Sequence, residues 1–244
     1  MLNENNQLKH RDKSKPARKI TKLKALTAPG PNQIYTWDIN YLPSQVKGLF
    51  FYLYLVLDIY SRKIVGWQVH NVELSALAAD LMVDICRREK VERNQVTLHS
   101  DNGSPMKGAT MLATLQELGV VPSFSRQSVS NDNPFSESVF RTLKYRPECP
   151  EKKFSDLTAA RGWVNKFVGW YNNKHYHSGI KFVTPMQRHT GEDVEILVNR
   201  QAIMRNPERW SGEIRNWEQI KEVYLNTEKS KSEVKEKRLH KFKL

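Results

Sequence analysis

The chain has 244 residues, with 39 Lys and Arg against 26 Asp and Glu, a formal net charge of +13, and 39% apolar residues including 6 Trp, 9 Tyr and 9 Phe. That content supports a sizeable core, and the charge exceeds what solubility requires, so a polyanion, nucleic acid by default, is the expected partner. Two cysteines, Cys86 and Cys149, without a CxxC pair argue against a disulfide framework or a thiolate zinc site; no apolar run is long enough for a bilayer, and the polar N-terminus predicts no signal peptide.

Residues 1–30 are polar and basic, with Lys or Arg at 9, 11, 13, 15, 18, 19, 22 and 24, and read as a linker or arm closed by Pro29-Gly30-Pro31. A cluster of strands follows. "IYTWDINYL" alternates, with Trp37, Ile39 and Tyr41 on one face and Thr36, Asp38 and Asn40 on the other. "GLFFYLYLVLD" is continuously apolar and predicts a central strand covered on both faces. "DIYSRK" reads as a polar turn and "KIVGWQVH" as the returning strand, completing an antiparallel meander.

Residues 73–90 predict a helix with Leu74, Leu77, Ala78, Leu81 and Ile85 inward. "QVTLHSD" is a fourth strand, residues 108–119 a second helix ended by Gly119, and "VVPSFS" a fifth strand. After the polar loop "RQSVSNDN" a third helix opens at Pro134, with Asn133 as its expected cap. A longer helix is expected over about 156–174, weakened by Gly162 and Gly169. Residues 191–225 add short helices, and the charged stretch 226–244 predicts disorder. A three-strand meander followed by alternating strands and helices gives an α/β fold: a ribonuclease-H-like mixed five-stranded sheet flanked by helices.

The stretch "LHSDNGSPMKG" sends a strand straight into Asp101. Turn chemistry alone explains an Asp-Asn-Gly loop; membership of a carboxylate site explains it equally, if partners exist. Two stand out. Asp38 lies on the polar face of the first strand, and Glu137 lies one turn into the third helix. On that helix Phe135, Val139 and Leu143 form the inward side, whereas Glu137, Arg141 and Lys144 share the opposite one. Carboxylates hold hard divalent ions and neighbouring cations hold phosphates. The helix by itself reads better as an exposed face with an ordinary Glu–Arg pair.

Taken together, "WDINYL", "DIYSRKIVGW", "HSDNGS", "NDNPFSESVFRTLK" and "WYNNKHYHSGIKFVTPMQRH" resemble the catalytic core of retroviral-type integrases and bacterial DDE transposases, and most of all the OrfB-type transposases of the insertion-sequence-three family. Thirty-five residues separate Asp101 from Glu137, as in the D-x35-E spacing of that superfamily. The resemblance covers residues 31–190, with its motifs in order. It implies that Asp38, Asp101 and Glu137 are catalytic and bind two Mg²⁺ (or Mn²⁺) ions, incompletely assembled until metal binds. It implies in-line displacement at phosphorus, first by water and then by a 3′-hydroxyl. It implies DNA contacts at Arg141, Lys144 and Asn133, and a homo-oligomer on transposon ends and target DNA, in the cytoplasm at the nucleoid. Members carry a DNA-recognition region upstream of this core, so residues 1–30 are expected to be the stub of one and 191–244 a basic extension.

Other polar clusters carry blander readings. Asp58 is expected to brace its turn, Asp80 and Asp84 to pair with Arg87 and Arg88, and His99 to support local geometry. His175 and His177 belong to a helix end packed on the core, and Trp163, Phe167 and Trp170 to a core stripe. Two alternative functions stay open: a non-catalytic DNA-binding regulator of transposition, and a related nuclease of the same fold.

Overall fold

The computed structural model describes residues 26–125, 133–146, 153–203 and 215–225. The expectations for residues 1–25, for most of the loop before Pro134 and for 226–244 lie outside the described residues. The meander consists of β2 (Ile34–Pro43), β3 (Phe50–Asp58) and β4 (Ile64–His70), preceded by a short β1 (Leu26–Ala28). β5 (Thr97–Ser100) and β6 (Val121–Phe124) complete a five-stranded sheet of order β4-β3-β2-β5-β6. Short turns join β2, β3 and β4, which are antiparallel; β5 and β6 each follow a helix and so run parallel to β2. The centre of the sheet is therefore β2. The apolar β3 was expected there; it lies one place off, yet is covered on both faces all the same.

One face of the sheet, with Tyr35, Trp37, Tyr54 and Val56, packs under α1 (Ser75–Arg88) and α3 (Ala109–Leu118). The other, with Leu53, Leu55 and Leu57, packs under α4 (Pro134–Tyr145) and α5 (Leu157–Asn173) through Val139, Leu143, Phe167 and Tyr171. Each fully buried leucine stabilises the fold by roughly 1.5–3 kcal/mol. α5 runs unbroken through Gly162 and Gly169, because burial of Val164, Phe167 and Val168 offsets their low propensity and the Asp156 side chain caps the Ala159 amide.

Several local readings change. "DNGSPMKG" contains a single helical turn, α2 (Ser104–Lys107), with Pro105 in its first turn, where a missing N–H costs nothing. The "DIYSRK" turn is buried: Ile59 and Ser61 are inaccessible because the chain's last described elements cover them. Those elements are α6 (Pro185–Thr190), α7 (Asp193–Ile203) and β7 (Val223–Leu225). β7 pairs antiparallel with β1, and both pack on Ile34, Ile59 and Tyr60. Three-residue strands carry no readable periodicity, so the sequence offered neither.

Two polar assemblies tie this layer down. The buried Arg188 donates from Nε to the Tyr60 carbonyl (2.8 Å), from Nη1 to Asp193 (3.0 Å) and from Nη2 to the Ile220 carbonyl, with its guanidinium 4.1 Å from the Tyr60 ring. Asp58 accepts the Asn32 and Ser61 amides and the Ser61 hydroxyl, the bracing role its turn position suggested. Ser61 Oγ lies 3.0 Å from His189 Nδ1, His189 Nε2 lies 3.1 Å from Glu89, and Lys63 donates to Glu89 at 2.8 Å. Among the described residues no helix is long and apolar enough to cross a membrane.

Candidate active site

Asp38 and Asp101 are brought together by the parallel pairing of β2 with β5. Trp37 is in register with Ser100, so the residue after each, Asp38 and Asp101, continues from neighbouring positions. Asp38 sits opposite Leu55 on the face that α4 covers. Its Oδ1 accepts the Ile39 amide at 2.8 Å, which leaves Oδ2 open. Burial raises its pKa from the ordinary carboxylate value to about 7; the Ile39 bond opposes this, and the charges of Asp101, Glu137 and Glu73 add to it. Asp38 therefore gives up its proton only near neutral pH, the usual response of a partly buried carboxylate beside others.

Asp101 leaves the end of β5 and is seated by a polar stack. Ser125 donates its hydroxyl to Asp101 Oδ1 at 2.7 Å. The buried His99 lies 3.2 Å from the same hydroxyl through Nε2 and 3.0 Å from Ser123 through Nδ1. His99 therefore shapes its surroundings, as its motif position suggested. Ser123 and Ser125 went unnoticed in the sequence, because a contact across two strands more than twenty residues apart leaves no local signature.

α4 supplies the third carboxylate. Val139, Phe140 and Leu143 are buried beneath the helix, whereas Glu137, Arg141 and Lys144 are exposed on the other side. Asn133 precedes it but does not cap it with its side chain. It is buried and turned to β2, donating from Nδ2 to the Trp37 carbonyl at 3.3 Å, because the adjacent sheet offers that acceptor. Ser136 likewise bonds Thr36 at 3.2 Å, fixing the helix across the strand that bears Asp38.

An open cleft of about 450 Å³ results. It is lined by Asp38, Ile39 and Asn40 from β2 and by Glu137, Phe140, Arg141, Lys144 and Tyr145 from α4. Asp38 and Glu137 share this cleft with two of the expected DNA-binding cations; Asp101 acts on Asp38 by its charge but does not line it, and neither does Asn133. Among the described residues no three acidic, His or Cys side chains lie close enough together to hold a metal ion as they stand. The donor set nonetheless fits a hard divalent cation: it is all carboxylate oxygen, and Asp38 and Asp101 each keep one oxygen free of the protein bonds named above.

The remaining polar clusters serve structure. Asp84 pairs with Arg87 and Arg88 on the surface of α1. His175 packs against Tyr171 and Trp170, while His177 accepts the Gly179 amide through Nδ1.

Two models described as "Integrase core domain" match this chain, one over residues 28–129 and the other over 118–185. The transposase for insertion sequence element IS904 of Lactococcus lactis is 31% identical over 159 residues, 65% of this chain and 61% of that protein. Transposase InsF for insertion sequence IS3A of Escherichia coli is 32% identical over 162 residues, 66% of this chain and 54% of that one. The chain thus matches less than two thirds of the length of either relative. A chain of the simian T-cell lymphotropic virus intasome shares the fold, with a TM-score of 0.53 at 13% identity over 72% of this chain and 60% of its own. A mixed five-stranded sheet clothed by helices on both faces, overlaid from residue 28 to residue 185 by these two models, is an integrase core, and the chain belongs to the integrase core-domain family alongside the insertion-sequence transposases.

Proposed function

We propose that the chain is the catalytic domain of a DDE transposase that cleaves the ends of an insertion sequence and joins them to target DNA. The observation that carries this reading is the cleft in which Asp38 and Glu137, from a strand and a helix, meet under Arg141 and Lys144, with the charge of Asp101 bearing on Asp38. The named transposase relatives support it. Asp38, Asp101 and Glu137 would hold two Mg²⁺ or Mn²⁺ ions, which when bound supply Lewis-acid stabilisation of the phosphorane and a more acidic attacking hydroxyl. Asp38 must release its proton to serve as a ligand. Arg141 and Lys144, four and seven residues beyond Glu137, bind the phosphates flanking the scissile one. Phe140 and Ile39 are the apolar part of the lining. No side-chain nucleophile is required. The enzyme works as a homo-oligomer on DNA in the bacterial cytoplasm, with the core supplying chemistry and the basic segments at either end sequence-independent affinity.

The test is a strand-transfer assay with a labelled pre-cleaved element end, taken from the DNA flanking the gene, and a plasmid target. Asp38→Asn, Asp101→Asn and Glu137→Gln are each expected to lower joining at least about 100-fold while leaving folding and DNA binding intact. Joining that persists in all three variants refutes the assignment.

A further inference from the structure

The "DIYSRK" turn holds an arginine that bracing the turn does not explain. Arg62 adopts the left-handed backbone region, with φ 66°, which a long side chain rarely enters. Strain of that kind persists only where the surroundings over-determine the backbone, and here they do so on both sides. Before Arg62, the Tyr60 carbonyl is held by Arg188, and the Ser61 hydroxyl is tied to Asp58. After it, Lys63 reaches Glu89, and Asn172 bonds both the amide and the carbonyl of Ile64, at 2.9 and 3.0 Å. The Arg62 amide itself donates to the Asp58 carbonyl at 2.9 Å.

The side chain so aimed puts its guanidinium 3.9 Å from the centre of the Phe135 ring. Its Nε and Nη1 are buried and have no hydrogen-bond partner among the described residues. Burial lowers its pKa to about 10, so it stays charged near neutral pH. An apolar side chain of similar volume would fill the space without the penalty of two unmet donors. What it could not do is hold a ring by its face, as a cation does. Phe135 is the second residue of α4, two before Glu137, and packs both on the core beneath α5 and on the cluster of Ile34, Ile59 and Tyr60. The start of α4 otherwise meets β2 through Asn133 and Ser136. Two bonds to one strand leave the helix free to roll about its axis, and a contact to a different element stops the roll. A roll of about 20° swings a side-chain end at the helix's outer radius by roughly 2 Å, whereas metal ligation tolerates about 0.2 Å. We propose that Arg62 is a positioning residue: through Phe135 it fixes the rotation of α4 and so places Glu137 against Asp38 and Asp101. This rests on the reading of those carboxylates as a metal centre, and deepens it: the centre is braced from the turn on which α6 docks.

The experiment measures Mn²⁺ affinity of the full chain without DNA, from the electron paramagnetic resonance signal of free Mn²⁺, with Asp38→Asn to locate the binding. Arg62→Met fills the space with neither charge nor unmet donors. A packing role predicts wild-type Mn²⁺ affinity for it; a positioning role predicts wild-type melting with affinity about tenfold weaker. Arg62→Lys returns a cation to the ring and should recover affinity to within about threefold of wild type. Phe135→Leu removes the ring and should cost the same roughly tenfold, and the double variant Arg62→Met/Phe135→Leu should be no weaker than either single one. Wild-type affinity in Arg62→Met or in Phe135→Leu, or losses that multiply in the double variant, overturns the inference; should Arg62→Met melt early, Phe135→Leu decides. Joining by wild-type protein is scored in parallel. Mn²⁺ losses without any joining retire the transposase reading and leave Arg62 in its role, whereas joining with unaltered Mn²⁺ affinity in the variants retires this inference alone. A wild-type chain that binds no Mn²⁺ at Asp38 retires the metal centre and this inference with it.

Discussion

The raised pKa of Asp38 gives the clearest consequence at the level of a single residue. Its pKa stands near 7 in the fold against 3.8 in an unfolded chain. A raised carboxylate adds stability that is complete below pH 3.8 and lost as pH climbs through 7. Metal-free protein should therefore lose stability between pH 4 and 8, and Asp38→Asn should be free of that loss. The expected margin in favour of the variant is on the order of 2 kcal/mol at pH 8, vanishing near pH 4, read from thermal unfolding in EDTA. Alternation alone reveals this residue in the sequence, since Thr36, Asp38 and Asn40 are polar where their neighbours are large and apolar. The same alternation placed Asn40 on the acidic face, but only the packed structure shows that its amide goes unmatched.

At the level of elements, each carboxylate rides on a different support: a central strand, a strand end and a helix face. These were legible because each has a local signature, in the 2-residue period, the apolar lead-in to Asp101 and the 3.6-residue period of α4. The seat of Asp101 has none. Ser125 belongs to the exit of β6 and reaches β5 only through parallel pairing. Ser125→Ala frees Asp101 to swing. A supporting bond of this kind typically carries 10- to 100-fold in metal affinity or activity, so the variant should need about tenfold more Mn²⁺ for half-maximal joining while melting at nearly the wild-type temperature. An unchanged metal requirement would show that Asp101 holds its place without the bond.

For the whole molecule, the sheet and its helices follow from the pattern of strands and helices, whereas the layer built from the last described elements does not. Arg188 and His189 sit in "TPMQRH", a stretch whose sequence discloses a helix start and little else; their partners Tyr60, Ser61 and Glu89 lie about 100 residues or more upstream. Burial pushes the Glu89 carboxyl up, but hydrogen bonds from His189 and Lys63 outweigh it and hold the pKa at about 2. A depressed carboxylate contributes stability above its unfolded pKa of 4.5 that is lost as pH falls through 2. Glu89→Gln should accordingly be less stable than wild type by about 2 kcal/mol at pH 7 in denaturant titrations, with the gap closing between pH 4.5 and 2. A gap that stays constant over that window would mean the cost is packing rather than charge.

The pairing of β1 with β7 sets Leu26 directly beside Leu225. Topologically the described chain is almost a closed ring, its two ends meeting at one strand pair. Residues 1–25 and 226–244, which together carry 15 of the 39 lysines and arginines, are therefore joined to the described chain at neighbouring points. Anything tethered to one end is tethered next to the other, so two weak contacts with the same stretch of DNA act at high effective concentration and reinforce each other as avidity.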